Sequence, residues 1–145
     1  MRGAIIKKIL SLKGALSYRT VIGTSNFESI LQTPWESPAA FVYRASQSSG
    51  RENYFPVQSI QTNVVYHIVT SVTNNEDRAG NQDDVCEQLT ERLITLLDCY
   101  QIGGASRLYY VTGQAISSLE RNTLLWRSQF TIQRYIHTSL TEECA

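Results

Sequence analysis

The sequence has few of the residues that metal centres, disulfide frameworks and membrane spans require. It contains three cysteines and two histidines, with no Cys-x-x-Cys pair. An odd cysteine count without paired spacing argues against a secreted disulfide scaffold, and a zinc site would need scattered ligands. Lys7, Lys8 and Lys13 interrupt every apolar run near the N-terminus, which excludes a transmembrane helix there and argues against a signal peptide. We therefore expect a cytosolic protein that does not associate with a membrane and that holds no metal or cofactor.

An excess of charge of one sign is also missing. The 145 residues contain 13 Lys plus Arg and 13 Asp plus Glu, so the formal net charge is zero. This balance argues against a broad basic face that grips nucleic acid, and a small neutral protein tends to associate. The length is that of one domain. We assign it to residues 1–145, with a frayed tail over 138–145.

Two helices are predicted near the N-terminus. Ile5, Ile9, Leu12 and Leu16 recur at i, i+4, i+7 and i+11, which indicates an amphipathic helix. Its lysines also suit a helix on a membrane surface, but packing on its own domain or a neighbouring subunit is commoner. The capping-box spacing of "SNFESIL" predicts a short helix over 26–31.

The longest predicted helix lies in "QDDVCEQLTERLITLLDCY". Its apolar residues form one stripe, and two glycines beyond it suit the helix end. The stripe contains Val85, Leu89, Leu93, Leu96 and Tyr100, and the glycines are Gly103 and Gly104.

Alternating or apolar segments predict four strands, over 39–45, 57–72, 107–116 and 123–136. Trp126 aligns with aliphatic residues in the last strand, so we expect it in the core rather than on a face that binds single-stranded nucleic acid. The order of elements predicts an α+β domain. Its sheet would be mainly antiparallel and four-stranded, formed by two hairpins, with the long amphipathic helix between them and N-terminal helices packed on one face.

The strand over 57–72 has a half-polar face. Valines alternate there with polar side chains, in the order Val57, Ser59, Gln61, Asn63, Val65, His67 and Val69. We expect this face to meet solvent or a partner subunit, with Gln61, Asn63 and His67 as interface candidates.

The stretch "SVTNNEDRAGNQDDV" at 71–85 has the oxygen-rich composition of a calcium loop. With Asn75 as the first ligand, the fifth position is Ala79 and the twelfth is Cys86. An EF-hand needs an oxygen and a bidentate carboxylate there, so the spacing argues against calcium. A junction between strand and helix fits better, with Gly80 in the turn and acidic residues at the helix start.

Nucleophilic catalysis would need a cysteine–histidine pair drawn from Cys86, Cys99 and His67. Both cysteines lie on the predicted long helix, where cysteine is usually a small core residue. No Gly-x-Ser-x-Gly or phosphate-loop pattern is present. We therefore expect a protein that is not an enzyme, and a small cytosolic α+β enzyme is the alternative from a different class.

Several short motifs follow one another in a distinctive order: "PAAFV" at 38–42, "DRAG" at 77–80, and "LW" at 125–126 with Phe130. From about Arg19 to Ile136, the chain resembles the tail terminator, or tail-completion, proteins of long-tailed bacteriophages. Ala79 departs from the pattern, because glycine is expected directly after the Asp-Arg pair.

The resemblance implies a structural virion protein with no reaction and no cofactor. It implies a homohexameric ring on the head-proximal end of the tail tube, which ends tube polymerisation and presents a docking surface for the head connector. The partners would be other copies, the tail tube protein and the connector, with DNA passing through the lumen without specific binding. The resemblance also suggests a subunit contact at Glu76, Asp77 and Arg78. Another head–tail connector subunit is the alternative within the same class.

Overall fold

A computed structural model describes residues 2–12, 18–26, 37–49, 59–73, 81–102, 107–116 and 123–137. These ranges form two helices and five strands in one sheet of order β1-β2-β3-β5-β4. The predicted α+β class is confirmed. The elements, in chain order, are α1 (Arg2–Leu10), β1 (Thr20–Gly23), β2 (Ala39–Ser49), β3 (Ser59–Thr73), α2 (Asn81–Leu97), β4 (Leu108–Ile116) and β5 (Thr123–His137).

The two predicted hairpins are present, because β2 pairs with β3 and β4 pairs with β5, both antiparallel. The long strands β3 and β5 join the hairpins along their whole length, from Ser59 opposite His137 to Thr73 opposite Thr123. The prediction of four strands is wrong, since β1 adds a fifth that runs parallel to β2. The sheet is therefore mixed. Four residues are too few to show an alternation, which is why the sequence pattern did not reveal β1.

Strand β2 continues further than its apolar segment. The sequence placed a loop from Ser46 onward, but the backbone pairs with β3 up to Ser49 opposite Thr62. A bulge between Arg44 and Ser46 shifts the register. The side chains from Arg44 through Ser48 are exposed. Backbone hydrogen bonds to the longer strand β3 extend β2 although its side chains there are not buried. A hydrophobic pattern cannot predict an extension of this kind.

Both helices pack on the same face of the sheet, as predicted. Their fully buried side chains meet the apolar residues of β3 and β5 in one core. We call this the helix face. Its most buried members include Ile5 and Ile9 of α1, Leu89, Leu93 and Leu97 of α2, and Val64, Ile68, Phe130 and Ile132 of the sheet.

Helix α2 ends earlier than its apolar stripe suggested. Its last residue is Leu97, and Cys99 follows with a φ of 65°, in the left-handed region where helices commonly end. The Tyr100 amide then donates to the Leu97 carbonyl at 3.0 Å. Gly103 and Gly104, which were expected at this end, lie outside the described residues.

The second face of the sheet has a smaller apolar core of its own. Ala39 and Phe41 of β2, Val69 of β3 and Leu125 of β5 are 2% exposed or less and form one cluster. Neither described helix packs on this face. The half-polar face of β3 is therefore apolar and buried at one end. The sequence of β3 did not indicate that Val69 would be buried there.

Three sequence predictions fall largely outside the described residues. The short helix over 26–31 is one of them; its first residue, Asn26, is described and lies in a bend. The junction over 74–80 and the tail over 138–145 are the others. Leu16 of the predicted N-terminal stripe is likewise outside, while Leu12 packs against the core just beyond the end of α1.

Candidate functional site

Beyond its apolar core, the second face becomes polar. Tyr43 of β2 lies opposite His67 of β3, and His67 lies opposite Gln129 of β5. Arg127 is two residues from Gln129 along β5, so its side chain is on the same face. We call these four residues the polar cluster. Three neighbouring strands position it, and no single strand contains more than two of its members.

Short-range contacts hold the polar cluster together. The Nδ1 atom of His67 lies 3.1 Å from the hydroxyl oxygen of Tyr43. The two rings meet edge to face, with centroids 5.3 Å apart and an interplanar angle of 83°. Arg127 hydrogen-bonds to the Tyr43 hydroxyl, and Gln129 hydrogen-bonds to His67. The side chains therefore form a continuous chain from Arg127 through Tyr43 and His67 to Gln129.

Burial favours the neutral form of both rings. Burial lowers the pKa of His67, the positive charge of Arg127 lowers it further, and the hydrogen bond to Gln129 opposes this shift. Burial also raises the pKa of Tyr43, against the influence of Arg127. Arg127 thus brings a positive charge to a cluster of neutral hydrogen-bonding groups.

The described residues do not bring together the cysteine and histidine that the enzyme alternative would pair. Cys86 is buried in the core of the helix face, and His67 lies on the second face, so the sheet separates them. Cys99 is exposed beyond the end of α2. Within the described ranges, no group of three or more His, Cys, Asp or Glu side chains could hold a metal ion.

The structure places some of the predicted interface residues and not others. His67 and Asn63 are half-buried on the second face. Gln61 belongs to β3, opposite Tyr135, but its side chain lies outside the description. Glu76, Asp77 and Arg78 lie wholly outside it, so their contact stays a prediction.

The sequence pattern did not connect three members of the polar cluster to His67. For Arg127 and Gln129 the available signal was the alternation of β5, which put both residues on its polar face. Tyr43 had none, because it follows the apolar run of β2 and is itself only 6% exposed. The pairing register supplies the missing information.

Lowering the pH through the titration range of histidine is expected to destabilise the protein through His67. Its folded-state pKa lies below the ordinary value, so the unfolded chain takes up a proton first and stability falls as the pH drops through the ordinary histidine pKa of about 6.5. Because the ring is only partly buried, the effect should stay below about 1 kcal/mol. Urea unfolding at several pH values in this range gives the free energy of unfolding as a function of pH. This free energy should fall less steeply with decreasing pH in His67→Gln than in the wild type.

Above about pH 8 the two unfolding profiles should run parallel, since imidazole is then neutral in both states. A His67→Gln profile that parallels the wild type at all pH values would show that His67 does not contribute to the pH dependence.

Neither described helix combines the length and the apolar content needed to cross a membrane.

Comparison with known proteins gives one family. The family model described as "Phage tail terminator protein" matches residues 9–141. This range contains every described strand, helix α2, and all four residues of the polar cluster. No curated protein matches the chain.

Proposed function

Because this chain belongs to the phage tail terminator family, and so has a structural role in the phage tail, we propose that it forms a hexameric ring on the head-proximal end of the tail tube. The ring stops tube polymerisation and presents a docking surface for the head connector. The family match over most of the chain is the observation that supports this proposal. The copies assemble in the host cytoplasm and remain in the virion.

The second face supports a role in subunit contact. The apolar core of this face is already buried within one copy, so the part that a neighbour could contact is the polar cluster beyond it, whose hydrogen-bonding groups suit the polar rim of an interface. Asn63, Val65 and Thr131 extend it as half-buried side chains. A neighbour on this surface would meet the neutral donors and acceptors of Tyr43, His67 and Gln129 beside the positive charge of Arg127. We propose that His67, Asn63 and Gln61 belong to the contact, together with Glu76, Asp77 and Arg78.

The charge balance supports a lumen through which DNA slides. Each phosphate contact with Lys or Arg strengthens binding and slows movement along the duplex. A chain with zero formal net charge has no excess of cations to hold DNA in place. The ring would therefore surround DNA without binding it specifically.

Oligomeric state and tube length test this function together. Native mass spectrometry of the purified chain, alone and with the tail tube protein, should show a hexamer. Electron microscopy should show that tubes polymerised with the chain are shorter than tubes polymerised without it. In the same assay, Asn63→Arg should weaken ring formation at least about tenfold, because it places a buried cation at the contact. Gln47→Arg, on the exposed part of β2, is the matched control.

A chain that stays monomeric at high concentration and leaves tube length unchanged would contradict the proposal. If rings form equally well with Asn63→Arg, the second face is not part of the subunit contact, but the proposal of a ring is unaffected.

A further inference from the structure

The two helices cover opposite flanks of the sheet. Helix α1 contacts β1, β2 and α2, whereas α2 contacts β3, β5 and β4, which lie toward the other end of the strand order. The end of α1 lies near the C-terminal end of α2, where Lys8 meets the Tyr100 ring. A feature beside the first half of α2 and the end of β4 is therefore separated from the end of α1 by much of the length of α2, and the two can meet between copies.

A pocket opens at the β4 flank, between the first half of α2 and strands β4 and β5. Leu124 and Trp126 pack against the core but are only partly buried, so both leave apolar surface open there. Gly113 permits this position of the indole, because a Cβ at that residue would lie 2.7 Å from Trp126 Nε1. The pocket has a volume of about 480 Å³ and is lined by Cys86, Glu87, Thr90, Ala115, Leu124 and Trp126.

The polar groups of the pocket leave one acidic group for an incoming partner. The Thr90 hydroxyl donates to the carbonyls of Cys86 and Glu87, both at 2.9 Å, so it is satisfied by the backbone of α2. The Cys86 side chain is buried. The exposed Glu87 carboxylate therefore gives an apolar pocket a negative charge at its mouth.

Helix α1 presents the complementary pair. Leu10 is 53% exposed, more than any other large apolar side chain in the described residues. Lys7 is also exposed, and the i, i+3 spacing puts it on the same side of the helix as Leu10. The other two cations of α1 have contacts within the copy, since Arg2 donates to a backbone carbonyl at 2.9 Å and Lys8 lies 5.0 Å from an aromatic ring centroid.

We propose that the end of α1 in one copy docks into the pocket of a second copy, with Leu10 against the apolar walls and Lys7 paired with Glu87. The occupant is a second copy because this chain contains both halves: an apolar side chain beside a cation, and an apolar pocket beside a carboxylate. This inference rests on the proposed function and names a contact on the helix face that joins the copies in addition to the one proposed for the second face. A contact between two different patches is head-to-tail, which is the type that closes into a ring.

Charge exchange tests the pairing of Lys7 with Glu87. Lys7→Glu and Glu87→Lys should each raise the concentration of half-assembly about tenfold or more, because every contact in the ring then brings like charges together. An equimolar mixture of the two variants should assemble again. When the variants alternate around an even-membered ring, each contact regains one cation and one carboxylate. Native mass spectrometry would resolve the alternating composition.

Steric blocking tests the pocket independently. Ala115 is exposed and lines the pocket, and strands accept tryptophan readily. Ala115→Trp should therefore fill the pocket from within its own copy and reduce assembly at least about tenfold, with thermal unfolding unchanged. Ala45→Trp, at the exposed bulge of β2, is the matched control and should assemble as the wild type does.

The outcomes separate this inference from the proposed function. If the wild type forms rings and Lys7→Glu, Glu87→Lys and Ala115→Trp also form them at wild-type concentrations, the docking contact is wrong and the ring stands. Failure of the mixed variants to assemble, with both single variants folded, also overturns the pairing. If the wild type never assembles, the ring itself is wrong.

Discussion

Replacing Phe41 by alanine is expected to lower the free energy of unfolding by about 3–5 kcal/mol. The Phe41 side chain is fully buried on the second face of the sheet, in the cluster with Val69 and Leu125. Truncating its ring removes apolar burial and leaves a cavity that the paired strands around it cannot readily close. Urea unfolding followed by circular dichroism measures this loss.

Val65→Ala is the matched control on the same face. Val65 is only half-buried, and its truncation removes two methyl groups from a site that solvent already reaches, so the loss should stay near about 1 kcal/mol. Comparable losses for the two variants would mean that the second face has no core distinct from its polar part. The contrast therefore tests whether this sheet is stabilised on both faces.

Replacing Ile9 by glutamine is the second large effect that we expect, with a loss of about 3–5 kcal/mol. Ile9 is 1% exposed and holds α1 on the core of the helix face. The substitution removes apolar contacts and buries an amide where the surrounding side chains are apolar. Thermal and urea unfolding should both show the loss, and limited proteolysis should cut near α1 sooner than in the wild type.

The adjacent residue provides the control. Leu10→Gln should change stability by less than about 0.5 kcal/mol, because more than half of that side chain already meets solvent. A large loss at Leu10 would mean that it packs within its own copy, which would also contradict its role in docking to a second copy. Equal tolerance at Ile9 and Leu10 would mean that α1 does not pack through Ile9.

Long periodic elements could be predicted from the sequence because each contains its own signal. Strand β5 alternates Leu124 and Trp126 against Arg127 and Gln129, and the structure puts these pairs on opposite faces. The apolar stripe of α2 correctly predicted a helix and the side of it that faces the core. Its most buried residues are Leu89, Leu93 and Leu97, whereas the predicted stripe contained Leu96 instead of Leu97. Burial on one face of one element is a local property, and sequence reports local properties well.

The rest depended on which strands are neighbours. Val69 is buried because Phe41 and Leu125 come from adjacent strands, so its environment is set by register and not by its own strand. The polar cluster has the same origin, since Tyr43 meets His67 only through the β2–β3 pairing. Strand β1 forms against β2 rather than through any pattern in its four residues. The residue pattern of a single sequence does not show which strands pair or in which register.

The position of β5 has a consequence for how the protein forms during its synthesis. This strand is the last of the described elements to leave the ribosome, yet it lies inside the sheet, between β3 and β4. Within the described residues, β4 pairs with β5, so β4 has no strand to join until residues 123–137 have emerged. The β2–β3 hairpin can form early, but the two halves of the sheet meet only after β5 has emerged. The edges of β3 and β4 that β5 covers therefore stay unpaired until β5 is in place, and during that interval they are open to pairing with other nascent chains.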